Sequence, residues 1–155
     1  TIAKKEQVAI HHIKPHGALY NEAAKQKKVA QTFIDALVGQ RFKNCKIYAP
    51  FDSKLAKVAI DKGFEVWHEA FADRSYTNDL TLVSRDHDRA VLTDKEKIKD
   101  QINQIVAQNK VKSVTGQWVP IQAQTICIHG DNPNVLEILT YLSKELTKIG
   151  IKINK

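Results

Sequence analysis

Val8-Ala-Ile-His-His-Ile-Lys-Pro-His-Gly-Ala-Leu-Tyr-Asn21 opens as an apolar, β-branched run and stops being one at Pro15 and Gly17. Such a run predicts a buried strand that feeds straight into a loop, since proline removes a ladder donor and glycine admits backbone angles closed to other residues. A helix is expected next. Asn21 stands where a cap belongs, Ala23, Ala24, Val29, Ala30, Phe33, Ile34, Ala36, Leu37 and Val38 supply an apolar face, and Gly39 ends it.

The same order recurs downstream. Residues 45–49 read as a strand, 50–53 as a loop, 54–62 as a helix with Gly63 just past its end, and 64–68 as the next strand. Residues 69–88 are charged and aperiodic, longer than structureless connections usually are unless they carry function. Thr93-Asp-Lys-Glu96 has capping-box spacing and opens a helix through Gln108, with Ile98, Ile102, Ile105 and Val106 on one side. Residues 111–115 and 118–121 form a predicted hairpin about Gly116-Gln117. A strand over 125–129, a loop to Asn132, Pro133 as first helical residue, a helix over 136–149 closing on Gly150 and a last strand over 151–153 complete the reading. Strand, loop and helix in repetition predict the α/β class, with parallel strands alternating with helices. A closed eight-unit barrel typically takes ~250 residues, so this chain is expected to form one domain over 1–155 that is part of something larger. The absence of methionine and a start inside the end of a polar helix point the same way.

With 155 residues, 43% of them hydrophobic, the chain can bury one core. The formal charge of +7 is spread over predicted helix faces, as in Lys25-Gln-Lys-Lys28, without interleaved aromatics, which argues against nucleic acid or an anionic membrane as partner. No apolar run approaches 18 residues and the first residues do not resemble a signal peptide, so a cytoplasmic location is expected. Cys45 and Cys127, far apart in apolar surroundings, read as buried free thiols. Trp67, Phe71 and Trp118 read as core, His11, His12 and His68 as strand or packing residues, and His87 as surface.

Three segments carry chemistry. In parallel α/β folds the loops after the strands form the ligand site, because the backbone diverges there and helix N-termini point inward. In Lys14-Pro-His-Gly17 the His16 imidazole suits proton transfer or metal ligation and Lys14 suits an anion, though His16 bonded to a loop carbonyl and Lys14 facing water would be the plainer outcome. In His129-Gly-Asp131 a histidine directly after an apolar strand leaves room for a substrate or a metal, while Asp131 either serves the site or caps the next helix. In Glu69-Ala-Phe-Ala-Asp-Arg-Ser-Tyr76, extending to Arg85, an Asp-Arg pair orients a catalytic group, binds a carboxylate or stiffens the loop. Neither G-x-x-x-x-G-K-[ST] nor G-x-G-x-x-G occurs, so a nucleotide site within the chain is not expected.

Together, Ile13-Lys-Pro-His-Gly-Ala-Leu-Tyr-Asn21, Glu69-x-Phe-Ala-Asp-Arg-x-Tyr76 and Thr125-Ile-Cys-Ile-His-Gly-Asp-Asn-Pro133 resemble the LamB/YcsF family, in the family's order and over nearly the whole chain. The resemblance implies an incomplete (β/α) barrel of the glycoside hydrolase/deacetylase type. It also implies 5-oxoprolinase activity, opening the lactam of 5-oxo-L-proline to L-glutamate with ATP used by a complex that includes 5-oxoprolinase subunits B and C, and it leaves room for a divalent metal and a homo-oligomer. Carried over to matching positions, it makes His16 and His129 proton-transfer groups or metal ligands, oriented by Asp73 and Asp131. Lys14 and Arg74 would hold the substrate carboxylate or steady charge on the lactam oxygen, and Tyr20, Asn21, Glu69 and Arg85 would complete the substrate site. The family's amino-terminal Asn-Cys-Asp-Leu-Gly-Glu, Gly-Phe-His-Ala-Gly-Asp and Gly-Ala-His-Pro motifs are absent here, so the match is to a carboxyl-terminal portion. Two family glycines in the long loop are replaced, one by Leu80 after Asp79 and one by Arg89 before Ala90, which predicts a remodelled loop around Arg85. A stand-alone metal-dependent deacetylase or amidase, and a non-catalytic assembly subunit, are the rival readings.

Overall fold

The computed structural model describes residues 5–39, 42 and 44–153. The polar helix end read at the amino terminus lies largely outside them. The chain divides into two compact units, Thr1–Glu69 and Ala70–Lys155.

In the first unit, strand β1 (His12–Ile13) pairs in parallel with β2 (Lys46–Pro50), and β2 pairs in parallel with β3 (Val66–Phe71), whose last two residues enter the second unit. Register sets Ile13 beside Ile47, and Pro50 beside Glu69. β1 is far shorter than the apolar run predicts, with Val8 and Ile10 exposed. Buriedness alternates along β2: Ile47 and Ala49 are fully buried while Lys46, Tyr48 and Pro50 are half-buried. Helices α1 (Ala18–Lys25), α2 (Lys27–Asp35) and α3 (Lys54–Asp61) contribute Ala23, Ala30, Ile34, Leu55, Val58 and Ala59 to the core that covers Ile47 and Ala49. Burying an isoleucine such as Ile34 or Ile47 contributes about 1.5–3 kcal/mol, the main cohesive term here.

The single helix expected between Asn21 and Gly39 is two. Gln26 takes an extended conformation (φ −110°, ψ 116°), its N–H still bonded to the Glu22 carbonyl and its own carbonyl accepting from Ala30 N–H. It therefore closes one helix and opens the next. Gly17 precedes α1, so Asn21 lies exposed within the helix instead of capping it. Helix α3 follows its prediction: the Ser53 hydroxyl accepts from Ala56 N–H, and Gly63, at φ +81°, sits where Phe64 N–H can reach the Ala59 carbonyl.

In the second unit, α4 (Lys95–Gln108) and α5 (Val135–Lys148) pack Ile98, Ile102, Ile138, Leu142 and Leu146 around Ala72. The cap of α4 is Asp94, whose carboxylate accepts from Glu96 and Lys97 N–H, not Thr93 as the capping-box spacing suggests. α5 starts after Asn134, later than Pro133 predicts. Strands β4 (Lys110–Lys112) and β5 (Trp118–Pro120) form the expected antiparallel hairpin, and β6 (Thr125–Cys127) lies beside the segment leaving β3, where Ala72 N–H donates to the Cys127 carbonyl. Trp118 is 49% exposed, with the ammoniums of Lys110 and Lys112 at 4.5 and 6.0 Å from its ring. It is not core, because a two-stranded hairpin covers only one of its faces. Cys45 is buried and Cys127 half-buried, both as free thiols. The last predicted strand is absent. Gly150 (φ +80°) donates to Thr147 and Ile151 donates back to the Leu146 carbonyl, so these residues terminate α5 in a Schellman motif and Ile151 packs on the core.

The long loop contains its own hairpin. Tyr76 bridges Leu82, Thr77 N–H donates to the Thr81 carbonyl, and the turn between them ends at Leu80 with φ +63°. A type I turn closed by one left-handed residue is the common three-residue hairpin, and glycine is its usual occupant. A left-handed residue carrying a Cβ costs about 1–2 kcal/mol. Leu80→Gly is therefore expected to be more stable than Leu80→Ala by about 1 kcal/mol in denaturant unfolding, the reverse of the ordinary order. An alanine variant as stable as the glycine variant would mean that the turn stores no strain.

Candidate active site

The two sequence segments with the most chemistry resolve differently. In the first unit, the Lys14 ammonium lies 2.9 and 2.8 Å from the two oxygens of Glu69, which is 4% exposed, and 5.3 Å from the centre of the buried Tyr20 ring. Lys14 thus already has an internal anion and an aromatic face, whereas a lysine facing water would have neither. Removing either partner of such a pair would leave a buried or half-buried charge uncompensated, which typically costs 3–5 kcal/mol. His16 is exposed and forms no hydrogen bond with a described residue.

The second unit builds a tighter arrangement around Asp73, which is fully buried. Its Oδ1 accepts from His129 Nδ1 at 2.9 Å, and its Oδ2 accepts from His129 N–H at 3.0 Å and from Asn132 Nδ2 at 3.4 Å. Burial alone would raise the carboxyl pKa. The ring and backbone donors of His129, its charge and the Asn132 amide outweigh that and hold the group below the ordinary carboxylate value. A carboxylate accepts only, so Nδ1 of His129 carries a proton, and whenever the ring is neutral Nε2 is the nitrogen with the lone pair. Nε2 forms no hydrogen bond with a described residue, the His129 side chain is 25% exposed, and Phe71 stacks on the ring at 5.2 Å. A half-buried ring fixed by a buried aspartate, with no partner on Nε2 among the described residues, has a geometry that can serve a general base.

Neighbouring residues have other tasks. Arg74 is buried, donating through Nε to the Ala90 carbonyl (3.2 Å) and through a terminal nitrogen to the Val83 carbonyl (2.7 Å), so its guanidinium ties the long loop to its own start. Burial, and then Arg85, lower its pKa from the usual arginine value. Asp73 and Arg74 are adjacent but have separate partners. Arg85 donates to Asp131 at 2.8 Å in an exposed pair, and that bond holds the Asp131 carboxyl below its ordinary pKa. Asp131 does not cap α5, which begins at Val135.

Two positioning residues are not singled out by the sequence reading. Asn132 enters there only as part of a motif. Gln101, on α4, donates its Nε2 to the carbonyls of Phe71 (2.9 Å), Ala72 (3.1 Å) and Arg74 (2.9 Å), holding the backbone on both sides of Asp73. Its signal is present in the sequence: a polar residue in phase with Ile98, Ile102 and Ile105 on a buried helix face needs a buried partner. Among the described residues, no three His, Cys, Asp or Glu side chains converge to hold a metal ion, so the donor set for a divalent ion is not assembled here. No described helix is long and apolar enough to cross a membrane.

The chain belongs to the LamB/YcsF family, whose model matches residues 1–155. It is 40% identical to the 5-oxoprolinase A subunit of Pyrococcus abyssi over 97% of this chain and 59% of that protein. It is 41% identical to that of Thermococcus sibiricus over 97% of this chain and 58% of the relative. Among solved structures it is similar to the lactam utilization protein from Thermus thermophilus, with a TM-score of 0.83 and 27% identity over 98% of this chain and 60% of that one. The chain therefore spans about three-fifths of the length of these relatives, and the shared fold is the α/β class of parallel strands alternating with helices expected from the sequence.

Asp73 gives the site a pH signature. Because its folded pKa lies below the unfolded value near ~3.9, its stabilisation is fully present above that value and is lost as pH falls through the folded pKa. Asp73→Asn should be less stable than the parent at neutral pH and should lose less further stability on acidification from pH ~5 to ~2, measured by thermal melts across that range. Parallel stability curves for the two proteins would show that the buried carboxylate contributes nothing.

Proposed function

From family membership and the Asp73–His129 pair, we propose that the chain supplies catalytic groups of the A subunit of a 5-oxoprolinase, acting on the lactam of 5-oxo-L-proline to give L-glutamate in an ATP-consuming complex with subunits B and C. The observation that carries the reading is the ring of His129, held by a fully buried aspartate with its Nε2 open to a ligand. Names of relatives support the substrate: the A subunit of 5-oxoprolinase among similar sequences and a lactam utilization protein among the solved structures.

In this reading His129 Nε2 takes a proton from the water that adds to the lactam carbonyl. The ring C–N bond breaks as the same imidazolium returns a proton to the leaving nitrogen, so the dyad ends as it began. The Asp73 carboxylate stabilises the transient imidazolium without itself becoming protonated. In the first unit, Lys14, with Tyr20 and Glu69 against it, is proposed as an anion-binding group with Asn21 as a further contact, and exposed His16 as a proton-transfer group. Arg74 keeps the loop in place, while Arg85 and Asp131 form the polar rim beside His129. ATP consumption by the complex would couple to this step only by phosphoryl transfer to the lactam oxygen, with inorganic phosphate released as the ring-opened product forms, and a bound divalent ion would take its ligands at least partly from outside the described residues.

The test is glutamate release from 5-oxo-L-proline and ATP by the protein combined with subunits B and C. Losing a general base typically costs 10²–10⁴-fold. His129→Gln should lower kcat by about that factor with the complex still assembled; undiminished turnover would refute the assignment, and hydrolysis of other amides without ATP would favour a stand-alone amidase.

A further inference from the structure

The Asp73–His129 pair leaves one question open in the geometry: the ring and backbone donors on the Asp73 carboxylate both belong to His129, so a donor from another residue is needed to fix the pair relative to the rest of the unit. We propose that Asn132 is the positioning residue that locks Asp73, and through it the Nδ1–H tautomer of His129; this rests on the reading of His129 as the proton-transfer group.

Asn132 is 3% exposed, and each of its polar groups has a defined partner. Its Nδ2 donates to Asp73 Oδ2 (3.4 Å) and to the Leu92 carbonyl (2.9 Å), its Oδ1 accepts from Asn134 N–H (3.2 Å), and its own N–H donates to the His129 carbonyl (3.2 Å). The Leu92 N–H in turn donates to the Asp73 carbonyl at 2.9 Å. One amide thus grips the aspartate side chain, the strand of loop bonded to the aspartate backbone, and the turn that carries His129. With Oδ2 held by two donors, Oδ1 remains facing the imidazole, and the ring has no energetic reason to move its proton to Nε2.

Two roles of Asn132 can be separated. Its Oδ1 bond to Asn134 shapes the turn, and its Nδ2 bonds act on Asp73 and Leu92. Asn132→Ser keeps a short acceptor beside the Asn134 N–H and withdraws the Nδ2 donor from Asp73; Asn132→Ala, which removes both, serves as the second variant if the first does not fold. In the protein labelled with ¹⁵N-histidine, the His129 ring resonances should show the Nδ1–H form in the parent at a pH where the ring is neutral. Either variant should show a mixture of tautomers, together with a fall in kcat of roughly 10-fold at unchanged KM in the reconstituted complex, the effect of losing one bond to a charged group. A folded variant with the parent tautomer spectrum would overturn the proposal and leave Asn132 a turn residue. The spectrum needs no substrate: a tautomer shift in a protein that turns over no lactam would leave the positioning role standing and bring down the functional reading instead.

Discussion

A carboxylate with no access to water must be compensated, and in the second unit Asp73 imposes that requirement on everything nearby. An isolated buried charge costs several kcal/mol, so the group survives only with donors in place on both oxygens. Those donors are the ring and backbone of His129 and the amide of Asn132, which come from the loop after β6. The aspartate itself is presented at the end of β3, where Gln101 fixes the carbonyls on either side. Two loops remote in sequence are thereby fastened through one buried group, and the imidazole acquires a fixed orientation as a by-product of solvating a charge.

The Lys14–Glu69 pair obeys the same rule in the first unit. Glu69 is nearly inaccessible and Lys14 is the cation that neutralises it, with the Tyr20 ring alongside. The consequence is a lysine whose charge is already partly balanced within its own unit. Arg74 shows a different use of a cation: its guanidinium satisfies the carbonyls of a loop that has few ladder bonds of its own.

Where the sequence carried a local physical signal, the elements followed it. Ser53 and Gly63 bound α3, and the β4–β5 hairpin forms about Gly116. Leu80 in place of the family glycine predicts a remodelled loop, whereas the backbone there keeps the left-handed conformation that glycine favours. Readings failed where two equally good local signals competed. Thr93 and Asp94 are both capping residues, and Asp94 is the one whose side chain accepts the first-turn N–H groups. Gln26 breaks a helix with neither glycine nor proline to mark it, and Ile151 resembles a strand residue but closes a helix.

The sequence by itself determined the alternation of strand and helix, the loops that bear Lys14, His16, Asp73 and His129, and the family, because periodicity, capping residues and ordered motifs are properties of neighbouring residues. Only the tertiary structure decided which of those side chains act together. His129 pairs with Asp73, Lys14 turns to Glu69, Arg74 turns to the carbonyls of its own loop, and His16 stays exposed. Partners of a buried charge are selected by proximity in the fold, across separations at which the chain has no local preference, so periodicity and composition could not assign them, and the family motifs named Asp73 as an orienting group without choosing between His16 and His129.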